Sequence, residues 1–271
     1  TPGNIQAIRP MKDGVIADFE ATEMLLNYFF KQCNLQGMFR KNIILICHPT
    51  NITTVEKNAI RDCAYRAGAK RVYLEEEPKV AAVGAGLDIG RACGSMVLDI
   101  GGGTSDIAVL SLGDIVCSTS LKVAGNRFTQ LILDYLRKYR KLAIGEQMAE
   151  EVKIRIGSAL PLEVPLTMQV SGLALESGLP VSVEVNSNEI ESALRASVDE
   201  IVRAVRTVLE ITPPELAADI VQRGIVMTGG GALLKNFDVR LRNELQIPVY
   251  VAENALRCVV DGCSIMLEQL H

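Results

Sequence analysis

The segment Met96-Val97-Leu98-Asp99-Ile100-Gly101-Gly102-Gly103-Thr104-Ser105-Asp106 constrains this chain more than any other. An apolar strand over 96–100 delivers Asp99 at its end. Three glycines and Thr104 then turn the chain into a second strand over 107–112. Glycines lack Cβ, so their amides can approach an anion closely, and Thr104 can add a hydroxyl donor. A carboxylate repels phosphate unless a divalent cation lies between them. Asp99 therefore implies Mg2+, bound through water because this ion gives up its waters reluctantly. The competing reading is a plain glycine-rich hairpin with Asp99 as a turn acceptor; the complete strand–turn–strand unit favours phosphate. A second strand, Ile225-Val226-Met227-Thr228, feeds Gly229-Gly230-Gly231-Ala232 and opens a helix, where backbone donors face a ligand. No Gly-Lys-Ser/Thr follows it, and Gly229, Gly231 and Leu234 miss the last glycine of the dinucleotide fingerprint. Two such turns, about 125 residues apart, describe a two-lobed phosphate clamp.

The rest of the chain fits that clamp. A length of 271 residues suggests two lobes with sizeable cores. A mixed α/β pattern runs end to end: an apolar strand at 43–47, a helix at 54–67 opened by Thr53 and Glu56, and a short strand at 71–74. A helix then begins at Pro78, and three strands follow over 96–123. Helices are predicted from Gly125, over 146–156 and from Asn186–Glu189 to Pro213, with hairpin strands over 160–186 between them. The net charge of −4 argues against nucleic acid as a partner. Two histidines nearly exclude zinc sites and histidine triads. Seven cysteines without a C-x-x-C spacing favour a reducing compartment over a disulfide framework, and Cys263 reads as a packed thiol. No apolar run is long enough to span a bilayer, and a chain starting at Thr1 reads as a processed or truncated product.

Stretch by stretch, the sequence resembles the MreB family of actin-like bacterial cytoskeletal proteins. Leu98–Thr104 is similar to the family's second phosphate loop and Thr228–Leu234 to its adenosine loop. Gly3-Asn4-Ile5, Arg9–Asp18 and Thr212-Pro213-Pro214-Glu215-Leu216 are further family-like runs, and Tyr73–Gly86 looks closest to the MreBH paralogue. The resemblance implies an actin-like (ribonuclease H-like) two-lobed ATPase fold whose first lobe is incomplete, since the family's D-x-G-T loop does not precede Thr1. It divides the chain into a first-lobe remainder (1–90, with 264–271 returning to it), a nucleotide-binding subdomain (91–126 and 193–263) and a small subdomain (127–192).

By the same resemblance, Glu77 orients the attacking water, Asp99 serves the metal, and Gly101, Gly102, Gly103, Thr104, Gly229, Gly230, Gly231 and Ala232 bind ATP. Glu150 and Lys153 lie at i, i+3 on a predicted helix. They read either as a surface ion pair or, by the resemblance, as contacts to ribose and base. Ala124-Gly125-Asn126-Arg127-Phe128-Thr129 departs from the family's acidic A-G-D-x-x-D. The implied function is an ATP- and Mg2+-dependent filament that determines rod shape by organising cell-wall synthesis. Its implied partners are further copies of itself, the wall-elongation machinery and, peripherally, the inner membrane surface, from a cytoplasmic, membrane-associated position. ATPase activity belongs to intact members, and little is expected of this chain alone. A sugar-type kinase of the same superfamily is the alternative.

Overall fold

The computed structural model describes residues 7–33 and 42–269; the family-like run Gly3-Asn4-Ile5 lies outside them. A short hairpin, β1 (Met11–Lys12) and β2 (Val15–Ile16), and helix α1 (Phe19–Gln32) precede β3 (Ile43–His48), α2 (Thr54–Arg66), β4 (Arg71–Glu76) and α3 (Glu77–Gly84). A meander of β5 (Ser95–Ile100), β6 (Ser105–Ser111) and β7 (Asp114–Leu121) follows. Next come α4 (Gly125–Tyr139), β8 (Leu142–Ala143), α5 (Glu146–Ile156), the hairpin β9 (Thr167–Ala174) and β10 (Pro180–Asn186), and the long α6 (Ser187–Glu210). The chain closes with α7 (Pro214–Arg223), β11 (Ile225–Thr228), α8 (Phe237–Leu245), β12 (Val249–Val251) and α9 (Cys258–Gln269).

The central sheet has the order β12-β11-β5-β6-β7, with β11 parallel to both β5 and β12 and the meander antiparallel. All six residues of β5 are buried, as a strand covered on both faces requires. Its alternation sorts them: Met96, Leu98 and Ile100 join the large core with Ile201 and Val205 of α6, while Val97 joins Ala82 of α3. Strands β3 and β4 form a separate parallel pair, and Ile44, Ile46 and Val72 pack with Phe30 of α1 and Ala64 of α2. A third sheet, β10-β9-β8, stands beside α4 and α5.

Thr53 and Glu56 form the expected reciprocal capping box of α2. At α6 only half of one forms: Asn186 accepts from the amides of Asn188 and Glu189, whereas the Glu189 carboxylate turns to Arg140. The helix expected straight after Gly231 begins instead as one 3-10 turn over Gly230–Leu233, and α8 starts only at Phe237. Left-handed Asn236 interrupts the two. Val55 at the start of α2 and Tyr139 at the end of α4 face solvent, although each continues the apolar spacing of its helix.

Helices α3 and α9 meet through glycine. A Cβ at Gly84 would lie 1.8 Å from the Cys258 carbonyl oxygen, and one at Gly262 would lie 2.0 Å from that of Val80. Backbone on both sides leaves nothing that can yield. Gly262→Val should therefore destabilise the protein by about 2 kcal/mol or more in urea unfolding. Gly90→Ala, whose nearest neighbour is the Asp88 carboxylate at 3.7 Å, should be close to neutral.

Candidate functional site

The register of the central sheet builds the site. Thr228, the last residue of β11, stands opposite Asp99 on β5, so the two glycine turns leave the sheet side by side. The Thr228 hydroxyl donates to Asp99 Oδ1 at 2.7 Å. Gly229 has φ +79°, a conformation that L side chains rarely adopt. Its Cβ would lie 2.3 Å from the Ile100 carbonyl oxygen, and one at Gly231 would lie 2.2 Å from Ile100 Cγ2. These glycines are thus required first for packing one turn onto the other.

Helix α4 then docks onto the first turn. The amides of Gly125 and Asn126 donate to the carbonyls of Gly101 (3.1 Å) and Gly102 (2.8 Å). In contrast, the amides of Gly102, Gly103, Gly230 and Gly231 have no backbone acceptor among the described residues. Of these, Gly102, Gly230 and Gly231 line the cleft between the two turns. The turns, α4 and α5 enclose a cleft of about 420 Å³ lined by Gly101, Gly102, Glu150, Lys153, Gly230 and Gly231. Its remaining wall is apolar, with Phe128, Ile154, Leu233, Leu234 and Leu256. Ile154, Leu233 and Leu256 are largely exposed, an apolar rim left uncovered by the described residues.

Six of the expected site residues therefore share one cleft. Gly103 and Thr104 lie instead under the Asp13-Gly14 turn of the first hairpin: a Cβ on Gly103 would be 3.0 Å from Asp13 Cα, and Thr104 is buried. Ala232 is buried behind the second turn. Lys153 Nζ donates to Glu150 Oε2 (2.7 Å), the Gly125 carbonyl (3.0 Å) and Thr129 Oγ1 (3.0 Å), which uses all three of its protons. Burial pushes the Glu150 carboxyl up, but hydrogen bonds from Lys153 and Thr129 and the Lys153 charge hold it below its usual value. Asn126 and Thr129, the two departures from the acidic pattern, both sit here: Asn126 lines the cleft and Thr129 joins the Lys153 network.

Behind the first glycine turn three acids gather. Asp99 is pushed up to about 6 by burial and by Asp106, against the Thr228 hydrogen bond. Glu77, the first residue of α3, is pushed up to about 8 by burial and then by Asp106 and Asp99. Asp106 pairs across the sheet with Asp99. Its Oδ1 accepts from the Thr50 amide (3.0 Å) and hydroxyl (3.3 Å), while its Oδ2 is buried without a partner among the described residues. The spacing of β5 and β6 could have revealed Asp106, since an antiparallel hairpin turning at 101–104 brings positions 99 and 106 opposite. The apolar rim of Ile154 and Leu256 carries no comparable signal in the sequence.

An orphaned buried carboxylate oxygen and mutually repelling acids are what a divalent cation would relieve. Among the described residues, no group of three or more His, Cys, Asp or Glu is arranged to hold a metal directly. The donor set thus fits Mg2+ retained through its own waters rather than a caged ion. No helix among the described residues is long and apolar enough to cross a membrane.

Comparison with known proteins agrees with this geometry. The family model described as MreB/Mbl protein matches residues 1–271. The cell shape-determining protein Mbl of Bacillus subtilis (strain 168) is 54% identical over 270 residues, covering 100% of this chain and 81% of that protein. The cell shape-determining protein MreB of Escherichia coli (strain K12) is 50% identical over 271 residues, covering 100% and 78%. The crystal structure of MreB5 of Spiroplasma citri bound to ADP superposes with a TM-score of 0.94 at 41% identity, covering 100% of this chain and 81% of that one. A whole-chain family match and relatives of this identity place the α/β, actin-like fold and the sequence in one group: the chain belongs to the MreB/Mbl family.

Proposed function

We propose that this chain is an ATP-binding subunit of an actin-like filament that determines cell shape. The observation that carries the reading is the convergence of both glycine turns on one cleft, with unpaired amides at one end and an exposed apolar rim at the other. A nucleotide matches both ends: phosphates for the amides, a flat base for Leu233, Leu256 and Ile154. The MreB5 relative that binds ADP supports the ligand class. The named relatives are cell-shape proteins, which favours the filament over the sugar-type kinase. Wall-elongation proteins and the inner membrane surface are the partners this reading implies.

Within the site, the amides of Gly102, Gly230 and Gly231 hold phosphate, and Lys153 with Glu150 fixes the wall beside the ribose. Asp99 and Asp106 would hold Mg2+ through its waters, and the ion when bound neutralises phosphate charge. Glu77 orients the attacking water, a positioning role suited to phosphoryl transfer. In the full-length protein, Glu77→Gln should then lower the hydrolysis rate at least tenfold with little change in ATP affinity, read by phosphate release and calorimetry. Equal loss of both would make Glu77 structural.

The same residue makes stability depend on pH. Its folded value of about 8 exceeds the ordinary 4.5, so between these pH values the folded state binds more protons than the unfolded one. The Glu77 contribution is present below about pH 4.5 and is lost as pH rises to about 8. In metal-free buffer, Glu77→Gln should flatten this slope and stabilise the protein at pH 8 by about 1 kcal/mol or more in urea unfolding.

Gly102→Val tests the cleft itself. A Cβ there would lie 3.6 Å from Asn126 Oδ1, an ordinary contact, so the fold should persist with an unchanged melting temperature. The added side chain would enter the phosphate end, and nucleotide affinity should fall at least tenfold in calorimetry.

A further inference from the structure

The sulfur atoms of Cys47 and Cys263 lie 3.2 Å apart although 216 residues separate them in the chain. Cys47 stands in β3, opposite Glu75 of β4. Cys263 follows Gly262 in α9, where the absence of a side chain lets that helix rest on α3. Both cysteines are free and neither is fully buried. The sequence reads Cys263 as a packed thiol; the fold gives it a partner.

We propose that Cys47 and Cys263 are a redox pair that a hydroperoxide closes to a disulfide, stapling α9 to β3. The bond requires sulfurs about 2.05 Å apart, so an approach of about 1.2 Å is needed, within reach of small side-chain rotations. The two thiols are already differentiated. The hydrogen bond from Cys47 holds Cys263 below its ordinary value, while that bond, burial and the Cys263 charge push Cys47 upward. Cys263 accordingly supplies the thiolate nucleophile. It attacks one peroxide oxygen, the O–O bond breaks, and the leaving oxygen takes a proton to depart as an alcohol or water, which leaves Cys263 as a sulfenic acid. Cys47 sulfur then displaces the sulfenic oxygen: the S–S bond forms, the S–O bond breaks, and the Cys47 proton leaves with that oxygen as water. Two thiols lose two electrons and one hydroperoxide gains them.

The staple has a structural consequence. Just before α9, the Ala255 carbonyl accepts from the Gly229 amide at 2.8 Å. Closing the disulfide therefore ties the element that supports the second glycine turn to the separate β3–β4 pair.

The test is peroxide treatment of the native chain, alkylation of remaining thiols and peptide mapping without reductant. The expected product is a cross-linked peptide pair containing Cys47 and Cys263, formed at a rate independent of protein concentration. Dithiothreitol should reverse it, and a raised melting temperature should accompany it. Cys47→Ser should melt like the reduced protein, show no rise on oxidation, and leave Cys263 as a sulfenic acid that dimedone traps. The proposal is overturned if Cys47 and Cys263 stay reduced while exposed Cys33 is oxidised. It is equally overturned if both are oxidised separately, or if the cross-link forms only in urea.

Discussion

The parallel pairing of β5 with β11 is the constraint on which the rest of the site depends. It sets Thr228 opposite Asp99, and from that register the two glycine turns must emerge next to each other. They can do so only because Gly229 and Gly231 offer no side chain to the end of β5, where Ile100 occupies the space. A one-residue slip would move Thr228 off Asp99 and send every side chain of β11 to the opposite face, which the buried core forbids. Helix α4 then takes its position from the first turn, through the Gly125 and Asn126 amides, and α5 takes its position from α4 through Lys153. The cleft is therefore assembled in sequence from one strand register.

The same register imposes a cost. An antiparallel turn of four residues between β5 and β6 sets Asp106 directly against Asp99, and α3 brings Glu77 to the same place. Burial and mutual repulsion raise Glu77 and Asp99 well above ordinary carboxylates. Such shifts measure destabilisation of the folded protein at neutral pH. Thr50, in the loop after β3, compensates one oxygen of Asp106 and leaves the other bare. A core selected only for stability would replace these acids with apolar residues. Their clustering beside the glycine turns is the kind of perturbed-acid arrangement that functional sites use, and it is the feature on which the proposed roles of Glu77 and Asp99 rest.

Much of this was legible in the sequence because the signals were local. The strand–D-x-G-G-G-T–strand unit, the Thr228–Leu234 turn and the Thr53–Glu56 capping box depend on neighbours a few residues apart, and the fold reproduces them. Glu150 and Lys153 were legible as a pair for the same reason. What the sequence hid depends on distant partners. Glu189 leaves its cap for Arg140, 49 residues away. Helix α7 follows α6 across Pro213 and Pro214, and the sequence reading marks only the stop. The apolar rim joins Ile154 of α5 to Leu256, two segments with no periodic relation. The Cys47–Cys263 approach belongs to the same class, since only the glycine crossing of α3 and α9 brings that helix to β3.

The Lys153 network decides how charge in the cleft can be balanced. Its side chain is 14% exposed, and all three ammonium protons are used within the chain. Glu150 neutralises it at 2.7 Å, so the pair contributes little net potential to a bound anion. Replacing the family's acids with Asn126 and Thr129 removes negative charge from the same wall without adding positive charge. The wall is thus close to neutral. On the proposed reading, phosphate compensation falls to the glycine amides and a cation near Asp99, and the ion pair acts by fixing α5 against α4. On this account the ion pair and the cleft contact are one role: Lys153 positions the wall by being fully satisfied before any ligand arrives.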